Sequence, residues 1–189
     1  MSTPFEPVDI MAPVQWRIPL EVVEKIIDSA GQINFDPVRN ENIDETYSML
    51  CALASVCRAL VPRSRICLFR AVTLTSDERA SKFLATISND PAFGKLVYIL
   101  RIDCKGDQQG KYGWIYEGLK ILPSHLTNLN ELQYMDLPVL HPLFHVLSPK
   151  FSTVRSLIIE GSNQTFRETV QIVNGFKNLE RLTFSYLNI

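Results

Sequence analysis

Apolar residues recur at helical spacing in the segment that follows Pro19. A proline is tolerated in the first turn of a helix, so this segment can begin there. Polar residues occupy the other side, and Glu21 precedes Lys25 by four positions, the favourable order for an ion pair. Gly31 is placed to end this helix in a left-handed turn. The pattern therefore predicts an amphipathic helix between Pro19 and Gly31. Its apolar side consists of Val22, Val23, Ile26, Ile27 and Ala30.

Two more helices and a strand are predicted directly after it. A second helix spans about residues 45–60, and Pro62 opens a third, short helix that ends near Leu68. The run Ala71–Leu74 indicates a strand. Three short helices within roughly fifty residues bury little surface, so we expect this unit to dock against something else. The apolar side of the second helix consists of Leu50, Leu53, Ala54, Val56, Cys57 and Leu60.

From residue 76 onward, helical and strand patterns alternate, and one helix is predicted to end before Pro123. Segments 126–134, 151–159 and 176–184 then align as L-x-x-L-x-x-L-type repeats. Their marker residues Leu132, Leu157 and Leu182 lie 25 positions apart. Strand-plus-helix units of this length resemble degenerate leucine-rich repeats that lack the usual Asn. Together with the helices before them, they predict a mixed α/β fold in which an irregular solenoid carries a short parallel sheet with right-handed crossovers.

If the repeat leucines point inward, the alternating residues form the other face of the sheet. This face is mixed in polarity, and we expect it to bind a protein substrate, although loops could bind instead and leave the face unused. The predicted substrate-binding residues are Arg101, Gln133, Met135, Ile158, Glu160, Arg181 and Thr183.

Segments 18–27 (IPLEVVEKII) and 50–58 (LCALASVCR) resemble an F-box, whose members typically open with Leu-Pro-x-Glu and later carry Val-Cys or Val-Ser beside Arg. The chain departs from that pattern by Ile18, by Phe69 where many members have Trp, and by a long insertion at 31–44. The resemblance implies binding to the SKP-family adaptor, and through it a cullin, of an SCF-type ubiquitin ligase, with the repeats recruiting an unknown protein substrate. The residues carried over as adaptor contacts, some of which must instead hold the helices together, are Ile18, Pro19, Val22, Val23, Ile26, Leu50, Leu53, Val56 and Cys57.

The expected organisation has three parts. Residues 1–16 contain three prolines and no periodic pattern, which predicts a disordered tail. Residues 17–75 form the F-box-like domain, with the polar insertion 31–44 as a surface loop. Residues 76–189 form the leucine-rich-repeat-like region. No capping repeat follows the last strand, so we expect a chain truncated at its C-terminus.

The net charge limits the classes of binding partner, and the cysteine pattern indicates the cellular compartment. A net charge of −1 and a pI near 6.3 argue against nucleic acid or an anionic membrane as the main partner. The densest basic run, Arg58 to Arg70, suits either an acidic protein surface or a solvated helix face. None of the four cysteines forms a C-x-x-C pair, which fits a reducing compartment. We expect no secretory signal and no membrane span, and hence a cytoplasmic or nuclear protein.

Candidate catalytic and metal motifs are incomplete. His141 and His145 lie four apart, but Pro142 replaces the Glu of zinc proteases, and His125 is the third histidine. The glycine-rich segment 106–112 lacks one residue between its glycines and the Ser or Thr that a phosphate loop needs. We therefore expect no metal, no cofactor and no enzymatic activity.

A second hypothesis is a non-ligase repeat scaffold whose N-terminal helices only cap the repeats. Val22 and Ile26 would then pack inward on the sheet, whereas adaptor binding requires them to be exposed. An enzyme is a third hypothesis, which lacks a nucleophile–base or metal signature in the sequence.

Overall fold

A computed structural model describes residues 18–32, 43–56, 58–103, 113–136, 148–161 and 166–185 of the 189-residue chain. Several predictions concern residues outside these ranges. They are the tail 1–16, most of the insertion 31–44, Cys57, Cys104, the glycine-rich segment 106–112, and His141 with His145.

The described residues form a mixed structure of seven α-helices and a parallel sheet of five strands. The predicted α/β class and parallel sheet are therefore confirmed. The helices are α1 (Leu20–Gln32), α2 (Ile43–Val56), α3 (Val61–Arg70), α4 (Asp77–Asn89), α5 (Pro91–Leu96), α6 (Gly113–His125) and α7 (Phe166–Gly175). The strands are β1 (Ala71–Leu74), β2 (Ile99–Asp103), β3 (Glu131–Met135), β4 (Ser156–Glu160) and β5 (Arg181–Ser185).

The strands lie side by side in chain order, each parallel to the next. Leu132 pairs with Leu157 and Leu157 with Leu182, which is the register that the 25-residue repeat predicts. The same ladder continues backward through Leu100 to Val72, so all five strands share one pattern. A second ladder, two residues further along each strand, consists of Leu74, Ile102, Tyr134, Ile159 and Phe184.

These two ladders build the main core together with residues from the helices that cover one side of the sheet. Phe83 and Ile87 of α4, Leu122 of α6 and Ile172 of α7 are buried in the same cluster. Leu182 is the exception, because it lies on the edge strand β5 and is 40 % exposed.

Three helices differ from the predicted pattern. Gly31 does not end α1 in a left-handed turn: the helix continues to Gln32, and among the described glycines only Gly161 has a positive φ. The glycine is needed instead for the close approach of α3, because a Cβ at Gly31 would lie 2.9 Å from Cys67 Cβ.

Helix α6 does not end before Pro123 but continues to His125. A proline in the last turn removes only one helical hydrogen bond, and the Leu126 N–H still bonds the Leu122 carbonyl at 2.9 Å. Helix α5, with six residues, was not predicted; it begins at Pro91 because the Asp90 side chain accepts a hydrogen bond from the Ala92 N–H.

Helices α1 to α3 and the one-turn 3-10 helix Arg58–Leu60 between α2 and α3, called the helical unit below, have a separate small core. It is formed by Ile27, Ala30, Leu50, Leu60 and Cys67. Helix α3 joins this unit to the sheet, because it runs directly into β1. Phe69 of α3 stacks on Phe93 of α5 with ring centroids 4.6 Å apart and packs against the main core. The helical unit is thus attached to the start of the sheet through its third helix.

Candidate functional site

Helix α1 presents an apolar stripe to solvent. Ile18, Val22 and Ile26 are 60 %, 45 % and 51 % exposed. Val22 and Ile26 lie four residues apart, so the helix turns by only ~40° between them and keeps them on one side. Ile18 lies two residues before the helix begins. The Pro19 carbonyl begins the helix by accepting hydrogen bonds from the N–H groups of Val22 and Val23.

The adjacent side of α1, turned by ~100° from Val22 and Ile26, builds the core of the helical unit. Ile27 is fully buried and Ala30 almost so, while Val23 is half-buried against the same cluster. An amphipathic helix normally turns its only apolar side inward. The apolar arc of helix α1 is wider than the part that packs on the core, and Val22 and Ile26 at one edge of the arc remain uncovered.

Helix α2 also has some apolar residues that pack in the core and others that are exposed. Leu50 is only 2 % exposed and Leu53 is half-buried against the core, so both hold the helices together. Met49 and Val56 lie seven residues apart on α2 and are exposed. Of the predicted adaptor contacts, Ile18, Pro19, Val22, Ile26 and Val56 thus present surface, Val23, Leu50 and Leu53 mainly pack inside, and Cys57 lies outside the described residues.

Exposed apolar residues concentrate on these two helices. Single exposed apolar side chains are normal, whereas several on one small unit mark an interaction site. Among the described residues, eleven large apolar side chains are exposed, and six of them lie between residues 18 and 56. These six are Ile18, Leu20, Val22, Ile26, Met49 and Val56.

A bidentate ion pair holds α1 against α3 and so positions the exposed stripe. Arg63 Nε donates to Asp28 Oδ1 at 2.5 Å, and a second Arg63 nitrogen donates to Oδ2. This hydrogen bonding lowers the pKa of Asp28. Cys67 lies beside the pair, and burial raises the pKa of its thiol, which therefore stays protonated and packs as an apolar group.

The predicted substrate face of the sheet is only partly accessible. Glu160 is half-buried, and Arg181 and Thr183 on β5 are exposed. Arg101 approaches Asp103 at 3.3 Å. The remaining predicted residues, Arg101, Gln133, Met135 and Ile158, are at most 7 % exposed. The accessible part of this face is therefore its β5 end.

A groove that the sequence interpretation missed lies at the amino-terminal ends of the strands. It encloses about 750 Å³ and is lined by Arg70, Lys95, Tyr98, Asn130 and Arg155, among others. Two asparagines at equivalent positions of the repeats, Asn128 and Asn178, also line it. Their 50-residue separation, twice the repeat, was the signal in the sequence.

Within the described ranges, no three His, Cys, Asp or Glu side chains are grouped so that they could hold a metal ion. The part of the chain that the structure describes also contains no helix long and apolar enough to cross a membrane. No protein-family model, curated protein or solved structure matches this chain. The interpretation of its function therefore depends on the surfaces described above.

Proposed function

We propose that this protein is the substrate-recruiting subunit of an SCF-type ubiquitin ligase. The helical unit binds the SKP-family adaptor, and through it a cullin, and the region after residue 75 holds a target protein. The chain itself performs no chemistry and supplies proximity. The single observation that carries the proposal is the exposed apolar surface of Val22 and Ile26, with Ile18 just before them, on a helix whose adjacent side already forms a core.

The stripe has the apolar composition expected at the centre of a helix interface. Burying a complete Val or Ile side chain contributes about 1.5–3 kcal/mol, so the half that remains exposed at each position offers about 1 kcal/mol to a complex. Interfaces place such aliphatic residues at their dry centre and polar residues at the rim. Glu21 and Lys25, both exposed, are in the right place for such a rim.

The alternative scaffold hypothesis requires the opposite arrangement. Val22 and Ile26 would then cover the sheet, but both are about half exposed, and α3 supplies the aromatic stacking with α5. This observation supports adaptor binding over capping. The shared register of all five strands likewise supports our inference that the second region is a leucine-rich-repeat-like solenoid.

The test is co-expression with an SKP-family adaptor followed by size-exclusion chromatography. We expect the wild-type chain to co-elute with the adaptor, and the double variant Val22→Asp/Ile26→Asp to elute alone. Both positions are about half exposed, so each substitution should lower the free energy of unfolding by only about 1 kcal/mol. The circular-dichroism spectrum and thermal midpoint of the variant check that it is folded.

The control is the same chemical change on other helices. Ile121 of α6 and Val170 of α7 are 40 % and 39 % exposed, close to the exposure of Val22. The double variant Ile121→Asp/Val170→Asp should still co-elute with the adaptor. A folded wild-type chain that elutes alone would refute the proposal, and so would equal loss of binding in the two double variants.

A further inference from the structure

The groove at the amino-terminal ends of the strands has a regular floor. Arg70, Tyr98, Asn130 and Arg155 share one register position, immediately ahead of β1, β2, β3 and β4. Adjacent strands lie ~4.8 Å apart, so the row from Arg70 to Arg155 is ~14 Å long. About four residues of extended chain span that distance.

The backbone of this floor is already hydrogen-bonded. The Tyr98 carbonyl accepts from the N–H groups of Asn130 and Glu131 at 2.9 and 3.1 Å. The Asn130 carbonyl accepts from those of Arg155 and Ser156 at 2.9 and 3.0 Å. Because these backbone groups are engaged, recognition in the groove falls to the side chains.

Two asparagine side chains fix neighbouring turns of the groove wall. Asn128 Nδ2 donates to the Lys95 carbonyl at 2.7 Å, and Asn178 Nδ2 donates to the Ser152 carbonyl at 2.6 Å. The first bond ties the turn before β3 to the end of helix α5, which precedes β2, and the second ties the turn before β5 to the turn before β4. The groove is therefore a pre-formed surface, which lowers the entropic cost of binding a flexible ligand.

The groove is positively charged. Arg70, Lys95 and Arg155 line it, and no lining residue in the described part of the chain carries a carboxylate. Within the described ranges, neither Arg70 nor Lys95 forms an ion pair. Arg155 pairs with Glu180 at 2.9 Å, but these side chains are 60 % and 65 % exposed, and such surface pairs contribute little stability. An incoming carboxylate can therefore replace Glu180.

Apolar surface lies beside these charges. Ile66 and Tyr98 both line the groove and are 43 % and 44 % exposed. An aromatic ring with an aliphatic neighbour is a suitable anchor for one apolar side chain of a peptide. The net charge of −1 and the small number of cations in the groove favour a peptide over nucleic acid.

We propose that this groove binds an extended, carboxylate-rich segment of a partner protein. Arg70, Lys95 and Arg155 bind its carboxylates, and Tyr98 with Ile66 packs against an apolar side chain. The identification of that partner as the ligase substrate depends on the proposed function, whereas peptide binding itself does not.

The probe is fluorescein-labelled oligoglutamate, titrated with the full chain at low ionic strength and followed by fluorescence anisotropy. We expect the wild-type chain to bind, and added salt to weaken the binding. The variant Arg70→Gln/Lys95→Gln/Arg155→Gln should bind about tenfold more weakly, since each exposed ion pair contributes about two- to threefold. Glu180→Gln should bind about twofold more tightly, because it removes the internal competitor of the ligand.

The control variant Lys82→Gln/Lys120→Gln/Arg167→Gln removes three exposed cations from α4, α6 and α7 and should bind like the wild type. The proposal is overturned if the wild type does not bind, if the two triple variants lose equal affinity, or if single-stranded DNA of equal charge binds more tightly than oligoglutamate. The groove variant should still co-elute with the SKP-family adaptor. Loss of peptide binding in the groove and loss of adaptor binding are therefore measured in separate experiments.

Discussion

The Tyr47 hydroxyl of α2 donates a 2.5 Å hydrogen bond to the Ala71 carbonyl at the start of β1. The preceding carbonyl, that of Arg70, points to the other side, where it accepts from the Tyr98 N–H. Ala71 therefore presents its carbonyl at the free edge of the sheet, where unpaired backbone groups invite association with other chains. Helix α2 thus covers one end of that edge and links the helical unit to the sheet.

Removal of this hydroxyl should weaken the link. In Tyr47→Phe the carbonyl of the buried Ala71 loses its side-chain donor, and we expect a loss of about 1–2 kcal/mol in the free energy of unfolding. Urea unfolding measures this loss. Tyr98→Phe is the matched control, because Tyr98 is 44 % exposed and its variant should stay within about 0.5 kcal/mol of the wild type. Equal stability of Tyr47→Phe and wild type would contradict the assigned role.

Substitutions at core positions of the helical unit should lower the free energy of unfolding more than substitutions at the proposed contact positions. Leu50→Ala removes a side chain that is 2 % exposed and leaves a cavity in a small core, so we expect a loss of about 2–5 kcal/mol. Val22→Ala removes a half-exposed side chain and should cost below about 1 kcal/mol. Thermal unfolding followed by circular dichroism distinguishes them. Similar losses in the two variants would mean that Val22 belongs to the core.

Replacement by alanine should have opposite effects at two helical glycines. Gly31 lies where α1 closely approaches α3, whereas Gly118 of α6 has room for a methyl group. A Cβ at Gly31 would lie 2.9 Å from Cys67 Cβ, so Gly31→Ala should lose about 1–3 kcal/mol in the free energy of unfolding. A Cβ at Gly118 would meet only side-chain atoms of Leu84 and Leu122, at 3.7 and 3.8 Å. Gly118→Ala should therefore gain about 0.4–1 kcal/mol by restricting the unfolded chain. Denaturant titration of both variants tests the contrast, and a stabilised Gly31→Ala would refute it.

The register of the sheet was predictable where parallel strands recur at a constant interval, because equivalent residues then repeat at a constant spacing in the sequence. Leu132, Leu157 and Leu182 pair as their 25-residue spacing indicates. The ladder positions of β1 and β2 escaped this pattern, because Val72, Leu100 and Leu132 are separated by 28 and 32 residues. Helix α5 lies in the first of these longer intervals, directly before β2, and its six residues are too few to show a helical period.

The candidate sites were predictable only in part, because periodicity cannot say which part of a wide apolar arc faces a core. Val22 and Ile27 read alike in the sequence, yet Val22 is half exposed and Ile27 is fully buried. The groove brings together Arg70, Lys95 and Arg155, which are up to 85 positions apart. Only the register of the strands, a property of the whole sheet, places them side by side.

The ion pair between Asp28 and Arg63 predicts a pH dependence of stability. Hydrogen bonding by Arg63 lowers the pKa of Asp28 from its ordinary value of 3.8, so the folded state favours the ionised carboxylate. A depressed pKa stabilises the folded protein at pH values above 3.8, and this contribution is lost as the pH falls through the lowered value. The wild type should therefore be more stable than Asp28→Asn at neutral pH, and the difference should shrink as the solution is acidified below pH 3.8.

Urea unfolding of both proteins across this pH range measures the difference directly, since the other carboxylates titrate in both. The gain should be modest, because the two side chains are 33 % and 41 % exposed and water screens their attraction. Glu78→Gln is the control: its pair with Lys82 is about 75 % exposed, so its effect should be smaller still. A difference between wild type and Asp28→Asn that stays constant down to the lowest pH would show that this pair does not hold α1 against α3 through its charge.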